Sequence, residues 1–373
     1  MVGLTRFTVL VLLLLTTAVL HAAPTWSKAH CFFGRWDLRT ANRAVTVNSG
    51  SYIRARFSGA SLSAFFDVSL NQPAFNPAYE KPTGKGSLPT VAWQIDGGKW
   101  QEAEIAATVK LAEGLPAGRH SVMLMVRGLD EHQNRWTVPL VASVTFTGFG
   151  LEKSGKLEKP LPQWKKPALS IEFLGDSITE GVLVNEGRAG VVAGIPFTWT
   201  WLSDARLSYV GQTAMALGAE WRQVGFGATG LMHAGSGGVP GALDSFNLLY
   251  AGCPRDTWQP NVVVVNQGTN ESSIPSKEYQ LLYTRYLLML RKAYPKAKIV
   301  ALRPFNGAQE ASIKAAVDAC HGDGDSKVYF VDTAGWYSGN VHPNIEGSAA
   351  IAEKLAKALQ SEVLTTKMGT PAK

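Results

Sequence analysis

Residues 170–181 read SIEFLGDSITEG, a largely apolar strand candidate that runs into a polar turn around Ser177. Similar apolar strand candidates follow at 221–226, 261–266, 298–302 and 327–331. Helical patterns lie between several of them and after the last, at 205–217, 276–294, 308–319 and 345–363. Continuous apolar strands that alternate with helices predict an α/β fold with a parallel sheet covered by helices on both faces.

The chain before this stretch has a different period. From Ser51 to about Leu151 the apolar residues alternate in twos, as in SYIRARF at 51–57. An Asp96-Gly97 pair between two such runs is a hairpin signal. Short strands with turn signals about every ten residues predict a β-sandwich.

These patterns predict a division of the chain into segments. We expect a signal peptide at 1–23, a β-sandwich domain at 24–151, a linker rich in Lys and Pro at 152–167, an α/β domain at 168–365 and a tail at 366–373.

The first residues predict secretion. Arg6 precedes an apolar stretch from Phe7 to Leu20, and the small residues Ala22 and Ala23 follow. This order is typical of a cleaved secretory signal peptide, with an uncleaved membrane anchor as the alternative. We therefore expect a secreted or periplasmic protein without a membrane partner after cleavage.

Composition narrows the function class. The 373 residues are 46% hydrophobic and 17% charged, which is a globular composition. The formal net charge is +7, but the cations form no stripe, so we expect no nucleic-acid partner. No CxxC or HExxH motif occurs, and we expect neither a metal nor another cofactor. Spacing leaves open a disulfide between Cys253 and Cys320 with Cys31 free.

Polar residues follow the predicted strands of the α/β domain. Ser177 comes after the first strand, Gly227 after the second and Asn270 after the third, while His342 lies between the last strand and the last helix. Ligands of such sheets bind beyond the carboxyl ends of the strands. We therefore expect these four residues to meet at one edge of the sheet.

This set of groups suits acyl transfer. A serine hydroxyl becomes a nucleophile when a histidine accepts its proton, which predicts Ser177 and His342 as the catalytic residues. The attacked carbonyl becomes an oxyanion that needs preorganised donors. The backbone N–H groups of Ser177 and Gly227 and the side chain of Asn270 are the predicted oxyanion hole.

The motifs GDSIT, GATG, GTN and HPN, in this order, resemble the four blocks of the SGNH or GDSL hydrolases. The front half, with GRWD, an IDGG hairpin and LPAGRHSVML, resembles the jelly-roll domain of carbohydrate esterase family two. The resemblance implies a serine esterase that removes acetyl groups from plant polysaccharides such as xylan and glucomannan, so its partner would be an acetylated polysaccharide or oligosaccharide.

One position departs from the family pattern. SGNH enzymes usually carry an aspartate three residues before the histidine, where this chain has Gly339. The resemblance to family two implies a Ser-His dyad in which a backbone carbonyl, here that of Gly339, orients the imidazole. Asp332 and Glu346 are the nearest acidic alternatives, and neither has the expected spacing.

Trp336 lies in the loop before His342 and is the predicted sugar-stacking residue. Two other functions are also considered. One is a carbohydrate-binding protein on an esterase-like scaffold, since the chain has 11 Trp and lacks the aspartate. The other is a lipid- or thioester-directed esterase. The sequence shows no long apolar lid segment, which counts against this function.

Overall fold

The computed structural model of the protein describes residues 29–74, 86–188 and 198–364. The predicted signal peptide and the predicted tail lie outside these residues. The strands of the first half are β1 (Cys31–Phe33), β2 (Ala44–Thr46), β3 (Tyr52–Ser58), β4 (Leu62–Phe66), β5 (Thr90–Ile95), β6 (Gln101–Glu104), β7 (Thr108–Ala112), β8 (Arg119–Gly128), β9 (Val144–Leu151) and β10 (Lys156–Glu158).

Two antiparallel sheets build this first half around one apolar core. One sheet has the order β1-β3-β8-β5-β6, with β10 also paired to β3, and the other has the order β2-β9-β4-β7. Phe57 and Trp93 from the first sheet and Phe149 from the second belong to one buried cluster. The predicted antiparallel strands are confirmed, and the jelly-roll connectivity stays a prediction.

Local sequence signals explain the first of these sheets. In β3 the side chains of Ile53, Ala55 and Phe57 are buried, as the alternating pattern predicts. Strands β5 and β6 pair in antiparallel orientation, and Asp96 and Gly97 between them have φ of 52° and 69°. Two consecutive positive φ values are typical of a type I′ hairpin turn.

The predicted linker at 152–167 contains regular structure. Its strand β10 pairs with β3 in register from Lys156 opposite Ser58 to Glu158 opposite Arg56. A short helix, α1 (Pro162–Lys165), follows. The segment therefore extends the first sheet before it leads into the second half.

The second half is an α/β structure. Its strands are β11 (Ser170–Gly175), β12 (Glu220–Gly225), β13 (Leu248–Tyr250), β14 (Cys253–Pro254), β15 (Val262–Asn266), β16 (Lys298–Leu302) and β17 (Val328–Val331). Its further helices are α2 (Ser177–Glu180), α3 (Trp199–Leu202), α4 (Tyr209–Ala216), α5 (Ala242–Ser245), α6 (Ser276–Ala293), α7 (Glu310–Gly322) and α8 (Ile345–Ala358), which ends in a π-helical turn at Leu359–Val363. The main sheet is parallel, with the order β12-β11-β15-β16-β17.

Helices cover both faces of this sheet because its central strand is apolar on both sides. Val263 and Val265 of β15 pack in the cluster that contains α6 and α7, whereas Val262 and Val264 pack in the cluster that contains α4 and α8. Successive residues of a strand point to opposite faces, so a run of valines buries both. The predicted parallel sheet between two helical layers is confirmed.

The connection between β8 and β9, residues 129–143, enters the second half, and we call it the inserted loop. Its Trp136 and Leu140 belong to the same buried cluster as Val224 of β12. Its Arg135 forms a fully buried ion pair with Glu180 of α2. The loop therefore joins the sandwich to the helix that begins with Ser177.

Other buried ion pairs also join the two halves. Arg35 Nε lies 3.2 Å from Glu172 Oε1, and Arg127 Nε lies 3.0 Å from Asp204 Oδ2. Removing one partner of a buried pair leaves an uncompensated charge, which typically costs about 3–5 kcal/mol. These pairs therefore favour a single arrangement of the two halves.

All three cysteines, Cys31, Cys253 and Cys320, are free thiols in the structure. The disulfide that spacing left open between Cys253 and Cys320 is not formed. None of the helices in the described parts of the chain is long and apolar enough to cross a lipid bilayer.

Candidate active site

Three neighbouring strands end at the same level of the parallel sheet. Gly175, the last residue of β11, pairs with Gly225 at the end of β12 and with Asn266 at the end of β15. A Cβ on Gly225 would lie 2.6 Å from the backbone nitrogen of Glu180. The glycine thus lets α2 lie against the strand end, and the segments that follow the strands emerge side by side.

Ser177 is the first residue of the one-turn helix α2, and its position is set by Asp176. The Asp176 side chain caps the helix, with Oδ1 accepting the Ile178 N–H at 2.9 Å. Burial raises the pKa of Asp176 to about 6, although the bond from Ile178 opposes that shift. The first N–H groups of a helix have no partner within it, so this cap leaves the Ser177 N–H available.

His342 lies within hydrogen-bond distance of Ser177, with 2.9 Å between its Nε2 and the serine Oγ. Helix α8, which begins three residues later, packs in the same cluster as α4 and so returns the chain towards β11. The side chain of Asn344 caps α8 by accepting the Gly347 N–H at 2.9 Å. The two residues thus lie together although 165 positions separate them in sequence.

Burial lowers the pKa of His342 below its ordinary value, and the negative charge of Glu186 opposes that change. The neutral imidazole, which can accept a proton, is therefore favoured near neutral pH. The site has the charge state that a general base requires.

No carboxylate holds the histidine in the described parts of the chain, where the His342 side chain hydrogen-bonds only to Ser177. Gly339 lines the same cavity as His342, but no hydrogen bond between them is found among these residues. Asp332 lies 3.7 Å from Arg303 and accepts the N–H of Ala334. The predicted role of the Gly339 carbonyl therefore stays a prediction.

The turn after β12 carries Gly227, and the structure explains why a glycine stands there. A Cβ on Gly227 would lie 1.5 Å from Oε2 of Glu131, a residue of the inserted loop. Ala228 then has φ of 57°, which turns the chain sharply. Within residues 29–74, 86–188 and 198–364, neither the Gly227 N–H nor the Ser177 N–H has an acceptor. Both predicted oxyanion donors are thus available.

Asn270 reaches this turn from β15. Its Nδ2 donates to the Thr229 carbonyl at 2.9 Å, and an amide nitrogen carries a second N–H. The adjacent Glu271 is buried and accepts the N–H groups of Leu231 and Met232, each at 2.7 Å. Glu271 thus connects the loop after β15 to the loop after β12 by hydrogen bonds.

The sequence pattern of the GDSL-like lipase/acylhydrolase family matches residues 173–350, which contain all four of these segments. Residues 173–350 are a GDSL-like acylhydrolase domain.

Two characterised relatives are similar to most of the chain. The cellulase/esterase CelE of Acetivibrio thermocellus is 28% identical over 353 residues, which are 88% of this chain and 39% of that protein. The acetylxylan esterase/glucomannan deacetylase of Cellvibrio japonicus is 28% identical over 270 residues, 68% of this chain and 70% of that protein. The chain therefore spans well under half of CelE. The family and both relatives are carboxylic ester hydrolases by description.

Solved structures agree with these relatives. A family two carbohydrate esterase from Clostridium thermocellum, in complex with cellohexaose, has a TM-score of 0.68 at 27% identity, covering 89% of this chain and 98% of that one. A family two carbohydrate esterase from Cellvibrio japonicus has a TM-score of 0.71 at 22% identity, covering 90% and 95%. The similarity to family two expected from sequence is confirmed, and the shared fold includes both halves.

A cavity of about 580 Å³ opens beside the histidine of the acylhydrolase domain. Leu183, Glu186, Tyr337 and His342 are among its lining residues. A smaller cavity of about 200 Å³, which Tyr337 also lines, reaches Ile178, the residue after Ser177. Tyr337 thus lines two cavities, one that contains His342 and one that contains Ile178.

Trp336, the predicted sugar-stacking residue, packs half-buried against the apolar cluster that contains α4 and α8. Its backbone N–H donates to Thr333 at 3.0 Å. The neighbouring Tyr337 lines both cavities. The substrate-binding role of Trp336 stays a prediction, since Tyr337 and not Trp336 is among the lining residues of these two cavities.

The sequence reasoning missed Glu131, a residue of the sandwich half that contacts Gly227. It also missed the hydrogen bonds that Glu271 makes to the loop after β12. The length of the inserted loop was an available signal, because loops longer than about 12–15 residues are uncommon and often functional. In the described parts of the chain, no three His, Cys, Asp or Glu side chains are grouped to hold a metal ion.

Proposed function

We propose that this protein is a secreted serine esterase that removes acetyl groups from plant cell-wall polysaccharides such as xylan and glucomannan. The hydrogen bond of 2.9 Å between Ser177 Oγ and His342 Nε2 carries the proposal. The names of the relatives, an acetylxylan esterase/glucomannan deacetylase and an esterase, support the acetyl-polysaccharide substrate. The proposal of secretion rests on the N-terminal sequence pattern alone. The proposal of a jelly-roll connectivity rests on the resemblance of the front half to the jelly-roll domain of carbohydrate esterase family two.

The proposed reaction has two half-reactions. Ser177 Oγ attacks the acetyl carbonyl while His342 Nε2 accepts the hydroxyl proton. The tetrahedral oxyanion accepts hydrogen bonds from the N–H groups of Ser177 and Gly227 and from the Asn270 amide. When the intermediate collapses, the sugar oxygen leaves with the proton from His342, and an acetyl ester remains on Ser177.

Water completes the cycle. His342 accepts a proton from water, whose oxygen attacks the acetyl ester, and the second oxyanion occupies the same hole. Collapse returns the proton to Ser177 Oγ and releases acetate. Each half-reaction uses the same base and the same donors, so the serine and histidine account for both.

The Ser177→Ala variant tests this proposal. We expect purified Ser177→Ala to lose about 10⁴-fold or more in turnover of nitrophenyl acetate and acetylated xylan, because Ser177 is the hydrogen-bond partner of the His342 side chain in the described parts of the chain. Comparison of acetyl with octanoyl nitrophenyl esters separates acetyl specificity from a lipid-directed enzyme. Undiminished turnover by the folded variant would refute the mechanism.

Carbohydrate binding without catalysis is the second candidate, favoured by the absence of a carboxylate on His342 in the described chain. It predicts that wild-type protein binds glucomannan, yet does not react with a serine-directed phosphonate. Labelling of Ser177 together with acetate release would exclude it.

A further inference from the structure

We propose that Glu131, which the sandwich half inserts into the acylhydrolase domain, is a positioning residue of the oxyanion hole that acts in its protonated form. The neutral carboxyl packs against Gly227 and keeps its N–H in place, and the ionised carboxylate opposes the negative charge that forms there. This inference rests on the proposed esterase function.

The geometry is a direct contact between the two halves. Oε2 of Glu131 lies 1.5 Å from the position that a Cβ on Gly227 would occupy, and Cδ lies 2.6 Å from it. The carboxyl therefore packs on the Cα of the residue whose N–H is a predicted oxyanion donor. Glu131 is itself only 6% exposed, so water solvates its charge poorly.

The guanidinium of Arg135 lies near two carboxyl groups, those of Glu180 and Glu131. Both terminal nitrogens of Arg135 bond to Glu180, with Nη2 2.8 Å from Oε2. In the described part of the chain Arg135 makes no hydrogen bond to Glu131. Two buried carboxylates that share one guanidinium carry a net negative charge when both are ionised, which favours a proton on one of them.

The charged and titratable groups around Glu131 come from two elements. Glu180 faces it from α2, while Asp130, His132 and Arg135 belong to its own loop. The turn at 227–230 presents no charged side chain. Burial, followed by the charge of Glu180, raises the pKa of Glu131 to about 7, against the opposing effect of Arg135 and His132.

The consequence is a dependence of catalysis on pH. Below this pKa Glu131 is neutral, and the oxyanion forms beside an uncharged carboxyl. Above it, a negative charge stands next to one of the donors, and like charges in a water-poor site repel strongly. Activity of the wild-type protein should therefore fall on the alkaline side as Glu131 ionises.

The Glu131→Gln variant fixes the neutral form with little change in shape. The measured quantity is the ratio of kcat/KM at about pH 8.5 to kcat/KM at about pH 6.5 for nitrophenyl acetate. We expect this ratio to be at least about threefold higher in Glu131→Gln than in wild type. Glu113→Gln, an exposed glutamate of the same half paired with Lys110, is the matched control and should keep the wild-type ratio.

An infrared difference spectrum between wild type and Glu131→Gln gives a second readout. A protonated-carboxyl band that belongs to Glu131 should vanish across the same pH range in which the activity ratio changes. Equal activity ratios in the two proteins, or a Glu131 that is ionised throughout, would overturn the inference. A wild-type protein without esterase activity would instead overturn the proposed function.

Discussion

The segment that carries Ser177 and the loop that carries His342 are built in different ways. Residues 170–181, the Ser177 segment, are buried throughout, with β11 between two strands and the capped helix α2 after it. Residues 332–344, the histidine loop, are mostly exposed. Buried strand packing and the buried Asp176 cap therefore position the serine, whereas α8, which packs against α4, positions the histidine from an exposed loop. A hydrogen bond lost beside Ser177 should therefore cost more activity than an exposed one lost beside His342.

The largest expected effect tests whether the two regions act as one unit. His342→Ala should lower kcat for acetyl esters by about 10⁴-fold or more, and adding Ser177→Ala should cost little further, because each group needs the other. Steady-state kinetics of both single variants and the double variant measure this. His321→Ala, whose ring contacts Val328 at the far end of β17, is the control. Losses that multiply in the double variant would show that the residues act separately.

The oxyanion donor from β15 gives the next effect. Asn270→Ala should lower kcat by about 10²-fold with a smaller change in KM, because the donor is needed most in the transition state. Kinetics with nitrophenyl acetate check this, with the exposed Asn247→Ala as control. A change confined to KM would assign Asn270 to substrate binding instead.

The two helix caps compare the regions directly. Asp176→Ala should lower kcat about tenfold, because the buried turn that holds Ser177 loses the acceptor of the Ile178 N–H. Asn344→Ala should lower it about twofold, since α8 is also held by packing against α4. Asp176→Asn keeps an acceptor oxygen and should recover part of the loss. An equal or larger effect at Asn344 would reverse the comparison.

The smallest effect concerns the pKa of the histidine. As the pH falls through the pKa of His342, which burial holds below the ordinary histidine value, the ring gains a proton and kcat/KM should fall. Glu186→Gln removes a negative charge that raises the pKa of His342. The acidic limb of the plot of kcat/KM against pH should therefore move to lower pH. Glu346→Gln, on the exposed side of α8, should leave the limb in place. A limb that moves to higher pH in Glu186→Gln would contradict this electrostatic account.

The sequence predicted the sheet and its edge well because both depend on local patterns. The valine run of β15 has to be buried on both faces, and polar residues after parallel strands have to meet at one edge. The contact of Glu131 with Gly227 could not be predicted from local patterns, because it depends on how the inserted loop packs into the second half of the chain. The hydrogen bonds of Glu271 also depend on how two distant loops pack. A backbone carbonyl that orients a histidine can belong to any residue type, so the sequence cannot reveal it.

Labelling with a serine-directed fluorophosphonate, followed by peptide mapping, tests most directly whether Ser177 is a nucleophile activated by His342. The account predicts one modified peptide, that containing Ser177, in wild-type protein and almost no labelling in His342→Ala. Label on another residue, or acetate release by a protein whose Ser177 stays unmodified, would contradict it.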